Sequence, residues 1–317
     1  MKRLSHIIVL ALAVLMLSAG SSFASSFPTK NMKIIVPFAP GGAVDFTCRL
    51  IAKVAPKYLN GKKVIVRNMP GGGAVIGQTF VANARPDGYT LLGYTSSVVN
   101  NPITKKTTYT YKSFQPVVMY CLDPTVLVVP ANSKYKTLKQ FLDAAKEKSI
   151  SVATPGYSTS HHIAALLIQG KSGAKFDYIH NQSAAMQLQE LMGGHVDASV
   201  MSSGEAKPHM DDGSIRVLGI TADRPNPAFP NVPTFVSEGV DLTFGTFRGL
   251  AVPAGTPKEV MDTLAEAFKK IVKDPEFVKG MEHAGYPMTY RGPKEFSDFV
   301  ANDAVLMNQI LPTLKKK

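Results

Sequence analysis

Apolar positions along the chain alternate between a strand period and a helical period. Lys33 to Phe38 is a short β-rich run that meets Ala39-Pro40-Gly41-Gly42, after which Ala43 to Tyr58 reads as a helix. Lys63 to Arg67 predicts a second strand, Pro70-Gly71-Gly72-Gly73 a turn, and a helix follows to about Ala84. Pro86-Asp87-Gly88 turns the chain into a third strand, Thr90 to Tyr94. Strand, glycine turn, helix and strand in that order is the pattern of a parallel sheet with crossover helices.

A second series repeats the pattern. Val126 to Val129, Ile150 to Ala153, Phe176 to Ile179, Val196 to Met201 and Ile215 to Ile220 read as strands. Thr137 and Gln140 form a capping box that opens a helix to about Lys148. His161 to Gln169 and Ser183 to Met192 read as further helices. Four prolines between Asp223 and Pro233 predict an extended connection. Beyond Leu250 to Pro253, Thr256 is expected to cap a helix with Pro257 at its first position and Glu259 closing the box. Val260, Leu264, Phe268 and Ile271 then share one helical face. The C-terminal stretch reads mostly helical. The expectation is an α/β protein with two similar halves.

Composition narrows the function classes. With 317 residues, 45% hydrophobic and 18% charged, the chain can bury a large core, which excludes disorder and a fibrous fold. Lys2 and Arg3, the apolar run Ile7 to Leu17 and the small residues up to Ala24 follow the order of a secretory signal, with cleavage expected after Ala24. That run is about 11 residues, short of the ~20 a spanning helix needs. Losing Lys2 and Arg3 lowers the net charge from +12 to +10. The remaining basic residues are scattered apart from Lys315-Lys316-Lys317, and no nucleic-acid motif accompanies them, so no nucleic acid is expected as a partner. Cys48 and Cys121 are either a disulfide of an oxidising compartment or two buried thiols; their spacing does not decide.

Candidate chemistry sits at the ends of predicted strands, where doubly wound sheets bind ligands. In Val36-Pro37-Phe38-Ala39-Pro40-Gly41-Gly42 the glycines admit close backbone approach, and the helix N-terminus behind them suits a carboxylate or phosphate. Asp45 would repel such an anion, so it is expected to accept from a hydroxyl, ammonium, water or protein N–H, or simply to charge the helix start. Thr154, Gly156, Ser158, Thr159 and Ser160 repeat the arrangement in the second half, as cap or ligand donors. His161 and His162 point about 100° apart on a helix and do not share one small ligand. Asn181, Gln182, Ser202 and Ser203 also follow strands, as ligand donors or loop chemistry. The dinucleotide and Walker spacings, a nucleophile elbow and metal-ligand clusters are all missing, so no metal, cofactor or catalytic residue is expected.

Taken in order, Pro37-Phe38-Ala39-Pro40-Gly41-Gly42-Ala43-Val44-Asp45, Asn68-Met69-Pro70-Gly71-Gly72-Gly73 and Arg85-Pro86-Asp87-Gly88-Tyr89-Thr90-Leu91-Leu92 resemble the substrate-binding components of tripartite tricarboxylate transporters, the TctC or Bug family. Pro233-Thr234, Glu238-Gly239 and Val252-Pro253-Ala254-Gly255-Thr256-Pro257 match its later motifs. The resemblance implies a two-domain periplasmic-binding-protein fold of Venus-flytrap, type II-like form: residues 25–123 and 246–317 as one domain, 124–245 as the other, with a ligand cleft between. It implies a monomer that binds a small organic carboxylate (a di- or tricarboxylate or related acid) and delivers it to membrane permease subunits. The ligand carboxylate would be held by Phe38, Ala39, Pro40, Gly41 and Gly42 with Asp45, by the Thr154 to Ser160 loop with His161, and by the hydroxyl-rich Thr95-Ser96-Ser97 segment. The chain departs from the family at Ile179-His180-Asn181-Gln182 and at Thr246-Phe247-Arg248-Gly249, where Arg248 either clamps a second ligand carboxylate in bidentate fashion or makes a surface or interdomain salt bridge. Alternative readings are an exported α/β hydrolase or isomerase, or a carboxylate sensor for a two-component kinase.

Overall fold

The computed structural model describes residues 27–222 and 224–314. The expected signal segment and its cleavage point lie outside the described residues. Strand β1 (Met32–Val36) leads into helix α1 (Ala43–Val54), β2 (Val64–Asn68) into α2 (Val75–Ala82), and β3 (Thr90–Thr95) into α3 (Ser97–Thr104). Then come β4 (Phe114–Pro130), α4 (Leu138–Glu147), β5 (Ile150–Thr154), α5 (Ser160–Ser172), β6 (Phe176–His180), α6 (Ala184–Met192), β7 (Ala198–Ser202), α7 (Ser203–Asp211) and β8 (Ile215–Ile220). The chain continues through β9 (Gly245–Pro253), α8 (Lys258–Ile271), α9 (Pro275–His283), β10 (Met288–Arg291) and α10 (Pro293–Leu314).

The strands join in the order β2-β1-β3-β9-β4-β7-β5-β6, with β8 and β10 also paired to β4. Both ends of this path are parallel, as the crossover helices require: β1 with β2 and β3, and β5 with β6 and β7. The middle is antiparallel, because β9 returns along β3 and along β4. β4 is the shared element. Its residues Phe114 to Pro124 pair with β9, and Thr125 to Pro130 pair with β7 and β8.

The 17-residue length of β4 is a correction to the sequence reading, which saw only Val126 to Val129. Pro116 and Pro124 lack the N–H that a central strand donates, and so they signal a break. The fold accommodates Pro116 beside a register shift against β9, and Pro124 opposite Gly245, the first residue of β9. The α3 helix, with Pro102 inside it, was likewise outside the sequence reading.

Thr137 caps α4 as expected, accepting from Gln140 N at 3.2 Å. The Gln140 side chain returns to Lys136 N at 2.9 Å, one residue before the cap. Thr256 does not cap α8: its hydroxyl closes a turn onto Pro253 O at 2.8 Å, and Pro257 takes the cap position. Leu264, Phe268 and Ile271 bury in the core that covers one face of β4, with Val260 only partly covered. Cys48 and Cys121 are separate free thiols in that same core, and burial pushes each up to about 12.

Gly249 sits where β9 passes under α10, with β3 on one side and β4 on the other. A Cβ there would lie 2.4 Å from both Phe296 Cε1 and Val118 O. Gly249→Ala is therefore expected to lose about 1–3 kcal/mol by overpacking, read from urea unfolding midpoints at unchanged slope.

Candidate functional site

A cavity of about 40 Å³ lies between the two halves of the path. On one side its wall is Phe38, Gly42, Ala43 and Val44 from the glycine loop and the start of α1, with Thr95 from the end of β3. Opposite stand Pro155, Thr159, Ser160 and His161 from the β5–α5 turn, Ala184 at the start of α6 and Glu205 in the first turn of α7. Thr246 and Arg248 of β9 complete it. Four helices thus begin at one small space. The first N–H groups of a helix have no turn before them to accept, and they carry its positive end, so their convergence favours an anion.

The chain itself places a carboxylate there. Glu205 Oε1 accepts from Ala43 N, the first N–H of α1, at 3.0 Å. Glu205 Oε2 accepts from Ser202 N at 3.2 Å and from Ser202 Oγ at 2.8 Å, so the side chain is pinned to its own helix and reaches across to the other half. Burial raises its pKa, but the attraction of His161 and Arg248 and the bonds from Ala43 and Ser202 outweigh that and hold it below the ordinary carboxylate value. Burial lowers His161, whose Nε2 lies 3.6 Å from Glu205 Oε2.

Beside it is a buried ion pair. Arg248 Nη1 donates to Asp123 Oδ2 at 2.7 Å, and Arg248 Nη2 to Ser202 Oγ at 2.8 Å. Asp123 Oδ1 also accepts from Ser203 Oγ at 2.6 Å. Arg248 and Asp123 are 1% and 0% exposed, so neither charge is dispersed by solvent. Burial works against the Arg248 charge, but the neighbouring Asp123 more than compensates and its pKa is raised. Both terminal nitrogens of Arg248 are engaged by the chain itself, the salt-bridge arrangement of the two readings its sequence position allowed. Its Nε is buried without a partner, so that N–H and the second N–H of Nη2 are left to donate.

The sequence-predicted residues divide accordingly. Phe38, Gly42, Thr95, Thr159, Ser160, His161 and Arg248 meet at the cavity. Asp45 does not reach it: the carboxylate accepts from Gly41 N at 3.1 Å, Asn68 Nδ2 at 2.9 Å and Arg49 Nε at 3.0 Å, holding the glycine loop in shape. Of the expected partners, then, protein N–H groups satisfy it. Ala39, Pro40 and Gly41 run outside the cavity wall. Ser97 is turned into the core, accepting from Gln78 Nε2 at 2.7 Å, and Ser96 is buried beside it off the wall. Thr154 is spent on His180 Nδ1 at 2.6 Å, and Ser202 on Glu205 and Arg248. Ser158 bonds Thr104, and its N–H donates to His162 Nδ1 at 3.0 Å.

Gly156, Asn181 and Gln182 line instead an outer vestibule of about 610 Å³, shared with Phe38, Gly71 to Gly73 and Tyr157. Lys105 spans its mouth, donating to Gly72 O at 2.7 Å and Tyr157 O at 2.6 Å, and burial lowers its pKa to about 8. Behind it His162 packs edge-on against Tyr178 and His180 and tilted against Tyr157, and burial, with the charges of His180 and Lys105, lowers it to about 3.

Glu205, Asp123, Thr246, Ala184 and Lys105 were missed as site residues. A signal for Glu205 was available: Ser202-x-x-Glu205 after a strand is the same capping-box spacing that marked Thr137.

Two outcomes follow. Asp123→Asn strands the buried Arg248 charge and should cost about 3–5 kcal/mol in urea unfolding. His162 is neutral in the fold and takes a proton near 6.5 when unfolded, so its contribution is complete above that pH and is lost as pH falls from about 6.5 towards about 3. Stability measured across that window should fall less steeply for His162→Asn than for the parent chain.

The model of the tripartite tricarboxylate transporter family receptor, TctC, matches residues 47–315. A UPF0065 protein from the tcbD-tcbE intergenic region of Pseudomonas sp. strain P51 is 30% identical over 301 residues, 93% of this chain and 89% of that one. A ligand-free TctC solute-binding protein from Polaromonas is 29% identical, with 91% and 100% covered and a TM-score of 0.69. MatC from Rhodopseudomonas palustris with bound malate is 25% identical, with 89% and 99% covered and a TM-score of 0.84. The Polaromonas protein is a solute-binding protein, and both solved structures share this chain's fold over about nine-tenths of its length. The chain belongs to the TctC family of tripartite tricarboxylate transporter receptors.

Proposed function

We propose that this chain is a periplasmic receptor that binds a small organic carboxylate in the cavity and delivers it to the permease subunits of a tripartite tricarboxylate-type transporter. Residues 25–123 and 246–317 form one domain and 124–245 the other, the chain being exported and processed after Ala24. β4 and β9 connect the domains, and bending where they cross opens and closes the cavity. The observation that carries the reading is the convergence of four helix N-termini, one of them already capped by a carboxylate from the opposite side. A ligand carboxylate would be held by the remaining N–H groups at the starts of α1 and α5, by the Ser160 hydroxyl, and by the spare Nε of Arg248.

The malate bound to MatC supports the ligand class. The chain also superposes more closely on that structure than on the ligand-free Polaromonas protein, which is nearer in sequence, in keeping with a closed arrangement. A thermal-shift screen of the mature protein against mono-, di- and tricarboxylates, amino acids and aromatic acids tests the reading. A ligand at 100 times its dissociation constant should stabilise by about 2.7 kcal/mol. Hits confined to carboxylates are expected; a folded, ligand-free protein that answers to none of them would remove the ligand class.

A further inference from the structure

The charges at the cavity do not suit every carboxylate. Arg248 is the one fully buried cation beside it among the described residues, and Asp123 at 2.7 Å already pairs with it. Glu205 adds a second carboxylate to the same cluster, and nothing of opposite charge lies within 3.0 Å of it. The groups that face Glu205 are Ala43 N from α1, Ser202 from its own cap, His161 from α5, and the Arg248–Asp123 pair. Burial disfavours the charged form of His161, whose Nε2 stands 3.6 Å from Glu205 Oε2, so the one permanent cation beside the ligand, Arg248, faces two carboxylates.

Glu205 also has no room to withdraw. Its Oε2 is fixed by two bonds to Ser202, and Ser202 is in turn fixed by Arg248 at 2.8 Å. The carboxylate is thus a rigid part of the wall, with a side chain only 10% exposed. In so small a cavity, any group at that end of a ligand is placed beside it without intervening bulk water. A second ligand carboxylate would meet like charge in a low-dielectric space, whereas a hydroxyl or ammonium could donate to it.

We propose that Glu205 sets ligand charge in this receptor: it selects short acids with one carboxylate and a hydrogen-bond donor at the other end, and disfavours a second carboxylate. The inference rests on the receptor reading above and narrows it. The preference would be specificity by repulsion, built from a fixed charge set against the wrong ligand.

Calorimetric titration of the mature protein with matched acids tests it, using 2-hydroxybutyrate against malate and 4-hydroxybutyrate against succinate. Each pair keeps a four-carbon chain and exchanges a terminal carboxylate for a methyl or a hydroxymethyl group. The parent protein should bind 4-hydroxybutyrate, which carries the donor at its far end, more tightly than succinate, and should bind 2-hydroxybutyrate, which lacks that donor but also lacks the second charge, more tightly than malate. Glu205→Gln keeps the side chain's size and one acceptor oxygen, for Ala43 N, while its amide NH2 can donate to Ser202 Oγ in place of the carboxylate bond; it should fold, as a thermal melt checks, and should shift the ratio at least tenfold towards the dicarboxylate. Tighter dicarboxylate binding by the parent protein, or a ratio that Glu205→Gln leaves unmoved, overturns the inference and leaves the receptor reading standing. Silence from both proteins to all four acids and to the wider carboxylate panel overturns both.

Discussion

The Asp123–Arg248 pair is the contact on which the arrangement around the cavity depends. It joins β4 to β9 at the place where both strands pass from one half of the sheet to the other. Two buried charges gain little net stability, because desolvation offsets their attraction, but their geometry is demanding. Asp123 also accepts from Ser203 Oγ and Gly204 N, so it fixes the start of α7; Arg248 holds Ser202, and Ser202 holds Glu205. A chain of short polar contacts therefore runs from the strand crossing to the N-terminus of α1. The position of the cavity wall is set by that chain of contacts more than by apolar packing.

Topology explains why so many helix starts meet there. In each parallel portion of the sheet a helix begins just beyond the carboxyl end of its strand: α1 after β1, α5 after β5, α6 after β6 and α7 after β7. The antiparallel centre turns the two portions towards one another, so both sets of strand ends open on one space. Glycine is needed at the closest approach. That position is Gly41, with φ +92° and a Cβ that would meet Ala185 Cβ at 3.3 Å; a Cβ on Gly42 would make only an ordinary 3.6 Å contact with Ala184 Cβ. The sequence motif around these glycines thus serves the contact between halves as well as ligand access.

Much of this was legible in the chain. The alternation of strand and helix, the glycine loop before α1 and the hydroxyl-rich loop before α5 all depend on local patterns, and they stand where the periodicity put them. What was not legible depends on partners distant in sequence. Glu205 has a readable cap motif, yet its meeting with Ala43, 162 positions away, exists only after the halves pack. Asp45 has the composition of a ligand group, and three protein donors take it. Thr95, Ser96 and Ser97 look equivalent in sequence, but Thr95 lines the cavity with its hydroxyl bonded to Ser97 Oγ at 2.9 Å, and Ser97 in turn accepts from Gln78. The two prolines of β4 hid the strand, because a proline announces only the missing N–H, not the register shift that accommodates its absence.

Closure needs contacts between the halves that are strong enough to matter and weak enough to release. Lys105 illustrates how the fold arranges this. Its ammonium donates to carbonyls on both sides of the vestibule, and such charge-assisted bonds are worth about 1.5–3 kcal/mol each. The same position strips water from the charge, as the lowered pKa of about 8 records. The gain and the cost arise from one geometry and largely oppose each other, so the clasp adds direction to closure without fixing it. Glu205 follows the same logic, since its bond to Ala43 forms only at the expense of burying a carboxylate. On the proposed receptor reading, contacts as self-limiting as these would leave the decisive free energy to the ligand, since a ligand shifts an equilibrium only by its differential affinity for the two forms.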